Sequence, residues 1–470
     1  MGLFIRRNDM SRRKNSVKVT AILLLIIILL VGLVIGIVAC NDKGLRPQES
    51  PESSQEVAAN NEASDGNQSS QAENIENSSS LEALTVPGEK VTFSAVGDVL
   101  IHQALINAAL QEDGSYEFRP LFRHTKDIFA AADFASFDME GTFRGAPYAG
   151  FPSFSTPEDL APALKDSGMD IGATANNHCM DFDTPTLIRT VKILADAGIE
   201  SIGTRQTLED PKFLIKDVNG IKLGLGAFTY ESDRVIDPSL RTLNQTPIPK
   251  DLEGLVDTVY VNQDRPELLE GDAKRLKARV AEMKEAGAEA IVIFAHWGTE
   301  YAWSEDFGQS YYAQVLADAG VDVVVSCGPH VIHPIKKISS QDGTHEMLCY
   351  YSLGNFVSNQ YFEIGDSQGR CEDGLIALIS FERGEDGKVR LSDCGYVPTY
   401  VYKKYPQGDQ VEFTDAVVLP VIDALAHPEK YDLPAEALPL LEASLERTRS
   451  IMAENQVGDF AIQEYSGFFK

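Results

Sequence analysis

The chain reads as an α/β protein: a pair of mixed β-sheets covered by helices. Three observations predict that class. From about residue 89 onward, short apolar runs of strand character alternate with amphipathic helical stretches. Two hairpin signals add antiparallel ladders to the sheets. Five of the apolar runs end at residues that bind metals or move protons, and open α/β sheets collect ligands at the carboxyl ends of their strands.

The first segments lie ahead of that domain. Residues 1–18 carry Arg6, Arg7, Arg12, Arg13, Lys14 and Lys18 against a single acid, Asp9. Residues 21–39 are unbroken apolar, about 28 Å as a helix, which is enough to span a bilayer. Basic residues before a span hold their end in the cytoplasm, so everything after it is expected on the extracytoplasmic face of the cell membrane. Residues 19–40 therefore read as a transmembrane anchor or a lipoprotein signal. Ile37-Val38-Ala39-Cys40 resembles a bacterial lipobox, which would place lipid on Cys40, whereas the apolar run is longer than an ordinary signal core. Residues 41–88 are an acidic Ser/Asn/Glu tether with no aromatic residue, too polar to bury a core, and are expected to be disordered.

The net charge of −29, spread over the globular part as well as the tether, argues against nucleic acid as a partner, because no basic patch stands out there to meet phosphates. The six cysteines fit no zinc-ribbon spacing. With Cys40 set aside, Cys179, Cys327, Cys349, Cys371 and Cys394 leave at least one unpaired. A Cys371–Cys394 disulfide and buried free thiols are the two alternatives, the second being the default.

Within the globular part, residues 158–167, 185–197 and 266–286 read as amphipathic helices. The last carries Leu268, Leu269, Leu276, Val280 and Met283 near helical spacing. Asn219-Gly220 between two apolar strands, 213–217 and 221–228, is a strong hairpin signal. A second hairpin is expected over 375–394. Residues 433–455 look helical, and no internal repeat is evident.

The chemistry sits at the strand ends. Residues 91–96 deliver Gly97-Asp98, where glycine permits a sharp exit and a carboxylate faces outward. His102 either joins it or sits on the first turn of the next helix. Residues 134–137 deliver Asp138-Met139-Glu140, whose two acids share a face if the strand continues and repel unless a cation or proton separates them. Residues 171–174 lead to Asn176-Asn177-His178. An amide oxygen is a neutral metal ligand, a neighbouring imidazole donates a proton or stabilises charge, and Asp181 can fix its tautomer. Residues 290–295 read as a strand buried on both faces and deliver His296-Trp297-Gly298-Thr299-Glu300-Tyr301, with Trp297 and Tyr301 as candidate pocket walls. Residues 321–326 deliver Cys327-Gly328-Pro329-His330, with His333 three residues on, and only one of those two histidines need face the site. Tyr351-Ser352-Leu353-Gly354-Asn355-Phe356 closes the region, either as a turn or with Asn355 in a direct role. Acids, an asparagine and three histidines form the ligand menu of a divalent-metal site.

Taken in this order, the set resembles the CapA family of poly-γ-glutamate capsule proteins over residues 91–356. The matching elements are Gly97-Asp98, Glu140, Ala175-Asn176-Asn177-His178, His296-Trp297-Gly298-x-Glu300-Tyr301, Pro329-His330-Val331 and Ser352-Leu353-Gly354-Asn355-Phe356. The resemblance implies a calcineurin-like metallophosphatase fold, a four-layer sandwich of two mixed sheets flanked by helices, over residues 89–402. A helical extension, 403–470, would follow. It implies a divalent metal ion (Mn, Fe or Zn) held by Asp98, Glu140, Asn177, His296 and His330. His178 would be the acid or charge stabiliser, supported by Asp181. It also implies integral-membrane partners for capsule synthesis and an anionic polymer as substrate, with the chain acting as an enzyme (a phosphoesterase or γ-glutamyl amide hydrolase) or as a non-catalytic subunit. The chain departs from the family at Asp138-Met139-Glu140, where Asn-Leu-Glu is usual. It departs again at Gly328, which stands where a histidine is expected and puts a complete two-metal clamp in question.

Overall fold

A computed structural model describes residues 89–232, 237–361, 364–405, 413–458 and 461–467. Residues 1–18, 19–40 and 41–88, where the basic segment, the anchor or signal and the tether are expected, lie outside the described residues. Among the described residues, no helix is long and apolar enough to cross a membrane.

In chain order, the first strands are β1 (Lys90–Val99), β2 (Phe134–Met139), β3 (Ile171–Ala173) and β4 (Glu200–Ile202). Helices α1 (Gln103–Ala109), α2 (Lys126–Ala130), α3 (Leu160–Asp166) and α4 (Thr184–Asp196) lie between them. There follow β5 (Leu214–Val218) and β6 (Ile221–Tyr230), a small hairpin β7 (Thr242–Leu243) and β8 (Thr246–Pro247), and β9 (Thr258–Val259). Next come α5 (Pro266–Glu285), β10 (Ala290–His296), α6 (Phe307–Ala319), β11 (Val323–Cys327), β12 (Ile335–Ser339), β13 (Glu346–Tyr350) and β14 (Asn355–Val357). The chain closes with β15 (Asp373–Arg383), β16 (Val389–Lys404), β17 (Asp415–Pro420), α7 (Val421–Ala426), α8 (Leu438–Met452) and β18 (Gln463–Glu464).

One sheet runs in the order β17-β16-β15-β1-β2-β3-β4, with β14 on β1 and β18 on β16. The other runs β12-β13-β11-β10-β6-β5, with β9 on β6. Both are mixed. β1, β2, β3 and β4 are parallel, while β15, β16 and β17 are antiparallel. β6, β10, β11 and β13 are parallel, and β5 and β12 run antiparallel at the two edges.

The layers follow from the period-2 alternation of the strands. Val91, Phe93 and Ala95 of β1 meet Ala290, Val292 and Phe294 of β10 in a core between the sheets. On the outer face of the first sheet, Val96 and Val99 pack with Leu105, Ile106, Phe129, Leu160 and Leu164 from α1, α2 and α3. On the outer face of the second, Ile291 and Ile293 pack with Leu276 and Val280 of α5 and Tyr312 and Leu316 of α6. Helices, sheet, sheet and helices make the four layers that the family resemblance implies.

One boundary differs. The extension expected from residue 403 begins inside β16, which runs to Lys404. The six residues of β17 then add an edge strand, pairing Val401 with Val418 and Tyr402 with Val417. Asp415–Pro420 is a short segment with no period-2 alternation, and it gains its ladder by folding back on the preceding strand, so the local pattern alone gave it no strand assignment. α8 is helical as expected, and its Leu441 packs against Tyr400 and Leu419. The five described cysteines are buried free thiols, Cys371 and Cys394 included.

Candidate metal centre

The parallel strands bring their carboxyl ends to one edge, and pairing register sets the site residues side by side. Asp98 is the Cα partner of both Asp138 and Asn355, and His296 is the partner of Cys327. A register shift in β1 between Ala95 and Asp98 opposes three steps of that strand to two steps of β2. One extra residue reverses which face the following side chain occupies. Asp98 is thereby turned towards the second sheet instead of the helical layer. Gly97 makes the bulge feasible, since a Cβ there would lie 1.8 Å from the Gly354 carbonyl oxygen.

Around Asp98 lies a buried group of acids and imidazoles. His330 Nδ1 is 3.1 Å from Asp98 Oδ2 and 3.7 Å from Glu140 Oε2. His296 Nδ1 is 3.1 Å from Asp138 Oδ2 and 3.7 Å from Asp98 Oδ1, and its Nε2 is 3.9 Å from Glu140 Oε1. The Cys327 thiol donates to Asp138 Oδ2 at 3.0 Å. Two overlapping donor sets result, Asp98–Asp138–His296–Cys327 and Asp98–Glu140–His330, each with its ligand atoms within 4.8 Å of one another.

The donor set fits a divalent cation on an independent ground. Glu140 and Asp98 are 0% exposed, yet both Glu140 oxygens and Asp98 Oδ1 have no hydrogen-bond partner, and neither does Asn177 Oδ1. Buried polar atoms are rarely left unpaired, and four such oxygens at one strand edge are the lone pairs a cation takes. The proton equilibria point the same way. Burial pushes the Glu140 carboxyl well above its ordinary range, and the charges of Asp98 and Asp138 add to that. Burial also raises Asp138, although His296 opposes the rise. At Asp98 burial is outweighed by the hydrogen bond and charge of His330, and the carboxyl is lowered. Burial pulls the His296 imidazole down, but the charge and hydrogen bond of Asp138 together with the charges of Asp98 and Glu300 outweigh it and leave it raised.

His178 stands beside this group with its own orienting partner. Its Nδ1 is 2.9 Å from both oxygens of Asp181. Asp181 also accepts the Phe154 backbone N–H at 2.7 Å and the Asn244 amide at 3.0 Å. A carboxylate on Nδ1 holds the proton there and leaves Nε2 as the working nitrogen. Asn355 packs beside His330 and is itself anchored. Its Nδ2 donates to the Cys371 carbonyl and to Gln360 Oε1, both at 2.8 Å, and its Oδ1 faces His330 Nδ1 at 3.2 Å. Beside these residues opens a cleft of about 580 Å³ lined by Tyr230, Glu231, Glu300 and Asp306 among others. Tyr230 stacks on His296 with 6.2 Å between ring centroids.

The structure thus gathers Asp98, Glu140, His296 and His330, places Asn177 with a free oxygen, and pairs His178 with Asp181. Asp138 and Cys327 join them. Asp138 was legible as the alternate neighbour of Glu140, whereas Cys327 read only as a buried thiol. His102 stands apart: Phe154 packs edge-on to it at 5.3 Å and to His178 at 4.7 Å. Burial pushes the His102 imidazole down to about 4. His333 faces away, with Nε2 2.8 Å from the Ala302 carbonyl. Trp297 is core and not a pocket wall. It is 1% exposed, donates to Ser326 Oγ at 2.9 Å and packs against Phe228 and Tyr351. Tyr301 lies against His330 at 5.7 Å. At Gly328 (φ +109°) a Cβ would lie 2.7 Å from the Trp297 carbonyl oxygen, so the backbone as it runs here has no room for a histidine.

Fold and donor set together define a two-sheet α/β protein with a buried carboxylate–imidazole cluster suited to divalent metals. The chain belongs to the bacterial capsule synthesis protein family PGA_cap, whose model matches residues 92–360. It is 25% identical over 310 residues to the capsule biosynthesis protein CapA of Bacillus anthracis, covering 64% of this chain and 66% of that one, just under two thirds. It is 25% identical over 316 residues to the PGA biosynthesis protein CapA of Bacillus subtilis, covering 66% and 72%. Among solved structures, the calcineurin-like phosphoesterase YfkN of Bacillus subtilis aligns at 15% identity and a TM-score of 0.37, covering 66% of this chain and 91% of that one.

Proposed function

We propose that this chain is a membrane-tethered, extracytoplasmic protein acting in the synthesis, export or attachment of an anionic capsule polymer, poly-γ-glutamate by resemblance, through a divalent-metal centre. The basic flank and apolar run of residues 1–39 support the tether and its orientation, and integral-membrane subunits of capsule synthesis are the partners this implies. Family membership supports the capsule role. The observation that carries the metal centre is the four unpartnered oxygens of Asp98, Glu140 and Asn177.

Asp98, Asp138, Glu140, Asn177, His296 and His330 would hold the ion. Bound there, a divalent cation supplies Lewis-acid charge and acidifies a water. His178, with its Nδ1 proton fixed by Asp181, presents Nε2 to give a proton to a leaving group or to meet developing negative charge. The Asp181 contacts to Phe154 and Asn244 keep that imidazole from turning. The acidic cleft wall at Glu300 and Asp306 repels a polyanion, so polymer binding depends on the cation's charge being in place.

A second reading, a metal-dependent phosphoesterase or γ-glutamyl amide hydrolase acting on an envelope polymer, is favoured by the oriented His178–Asp181 pair, which a scaffold does not need. Metal content by mass spectrometry on the full-length chain, beside His296→Ala and His330→Ala, tests the centre. One or two equivalents, lost in the variants, support it, and no metal after reconstitution with Mn, Fe and Zn removes it. Turnover of phosphoesters or γ-glutamyl amides lost in His178→Ala selects the hydrolase. Capsule assembly that survives His178→Ala yet fails without residues 1–40 selects the scaffold.

A further inference from the structure

We propose that Cys327 is itself a metal ligand, completing a mixed oxygen, nitrogen and sulfur site with Asp98, Asp138 and His296 and giving the centre a preference for zinc, iron or cobalt over manganese and magnesium. The inference rests on the metal-centre reading above and adds a donor to it.

Its first support is position. Cys327 ends β11, paired in register with His296, and its Sγ lies 3.0 Å from Asp138 Oδ2 and 3.8 Å from His296 Nδ1. Among the described residues it is the one thiol in a group of ligand atoms that all fall within 4.8 Å. By contrast, Cys371 bonds the Tyr361 carbonyl at 3.1 Å and Ser367 at 3.2 Å, ordinary contacts of a buried thiol. The second support is the fully buried Asp98 Oδ1, which has no hydrogen-bond partner and points at the same group, 3.7 Å from His296 Nδ1. The third is the neighbouring residue. The imidazole expected at 328 is replaced by a glycine whose surroundings leave no room for a side chain, and a donor stands one position earlier instead.

A thiol wedged between carboxylates gains little as a hydrogen-bond donor, since S–H is a weak one. A cation changes that, because a coordinating thiol is deprotonated outright. Thiolate is a soft ligand, and softness selects zinc, iron and cobalt against the oxygen-preferring magnesium, calcium and manganese.

Cobalt(II) added to the full-length metal-free chain tests this directly. The wild-type spectrum should show a thiolate-to-cobalt charge-transfer band in the near ultraviolet beside the visible d–d bands. Cys327→Ser should keep the d–d bands, lose the charge-transfer band and narrow the zinc-over-manganese preference by about 10-fold or more. Cys349→Ser, a buried thiol outside the cluster, should match the wild type. If Cys327→Ser does not fold, the wild-type spectrum still decides. Cobalt bound with d–d bands and no charge-transfer band overturns the thiolate ligand and leaves the metal centre standing. Failure of cobalt, zinc and manganese to bind at all overturns both.

Discussion

Replacing Glu140 by methionine should make the metal-free protein more stable, and that inversion is the sharpest consequence of the geometry. Two imidazoles face three acids in the cluster. His330 sits closest to Asp98 and His296 closest to Asp138, each at 3.1 Å, and Glu140 is the surplus at 3.7 and 3.9 Å. Both of its oxygens are buried without a partner, and its proton is held far above the usual carboxylate range. A buried unsatisfied polar atom costs about 1–3 kcal/mol. Methionine is similar in length, carries no such atom and adapts to irregular space. The gain for the metal-free chain is therefore about 2–6 kcal/mol for the two oxygens, several degrees in melting temperature for a domain of this size. Saturating metal should erase much of that advantage. At a ligand concentration of about 1,000 times Kd, binding stabilises the wild type by about 4 kcal/mol, and Glu140→Met forfeits most of that. Calorimetric melting of both chains, with chelator and with excess zinc, should give curves whose separation in favour of the variant shrinks when zinc replaces the chelator. If Glu140→Met lowers the melting temperature in chelator, the carboxylate is structural and the reasoning fails.

Asp98 belongs to both donor sets, so Asp98→Asn should lower metal stoichiometry more than Glu140→Gln does, as read by mass spectrometry after dialysis. Asp181→Asn should leave metal content unchanged and cut any turnover by about 10- to 100-fold, through kcat and not KM, because it frees the His178 ring without touching the ion's ligands. Gly328→Ala should cost about 2–4 kcal/mol by denaturant titration: the side chain would need the left-handed region at φ +109° and would press on the Trp297 carbonyl. Arg447→Met should destabilise strongly at pH 8 and much less at pH 5. Arg447 bonds both oxygens of Asp373 at 2.7 Å, and burial nonetheless lifts that carboxyl from 3.8 to about 6. The folded state binds the extra proton between those values, so the group's contribution falls as pH rises through that window, by about 3 kcal/mol. At pH 8 the variant leaves a buried carboxylate without its cation, a loss of about 3–5 kcal/mol. At pH 5 the carboxyl is already neutral and little is lost. Equal losses at the two pH values would contradict this.

Much of the site was legible because its residues follow strand-like runs directly. A run such as 290–295, apolar on both faces, predicts a central strand, and the first polar residue after it stands at the sheet's carboxyl edge. His296 and His330 were found that way. What the sequence could not supply was set by pairing. The register shift that turns Asp98 inward depends on how β1 meets β2 and on the Gly354 carbonyl packed over Gly97. Asn244, in the loop between β7 and β8, reaches Asp181 from 63 residues away, and nothing in its neighbourhood marks it. Trp297 misled for the opposite reason. It lies inside a motif of functional residues, yet at the end of a doubly buried strand its indole faces the outer core. β17 was missed because its six residues lack an alternating pattern and become a strand by pairing back on β16 at the sheet edge.

The proposed ligation would account for a cysteine among acids that otherwise disfavour it. Asp98 presents Oδ2 to His330 and Oδ1 towards His296, so one carboxylate faces both donor sets. The set on His330 takes the hard oxygens of Glu140, while the set on His296 contains Asp138 and the Cys327 sulfur. Two ions sharing one carboxylate would therefore meet unlike surroundings, one of oxygen and nitrogen and one with a soft donor. Ligand chemistry of that kind separates the affinities of the two positions more than geometry alone. On the proposal that Cys327 is a ligand, the absence of a histidine at 328 would mark a change of ligand type and not the retirement of the site, because the backbone that excludes a side chain at Gly328 is the same backbone that sets Cys327 and His330 against Asp98 and Asp138.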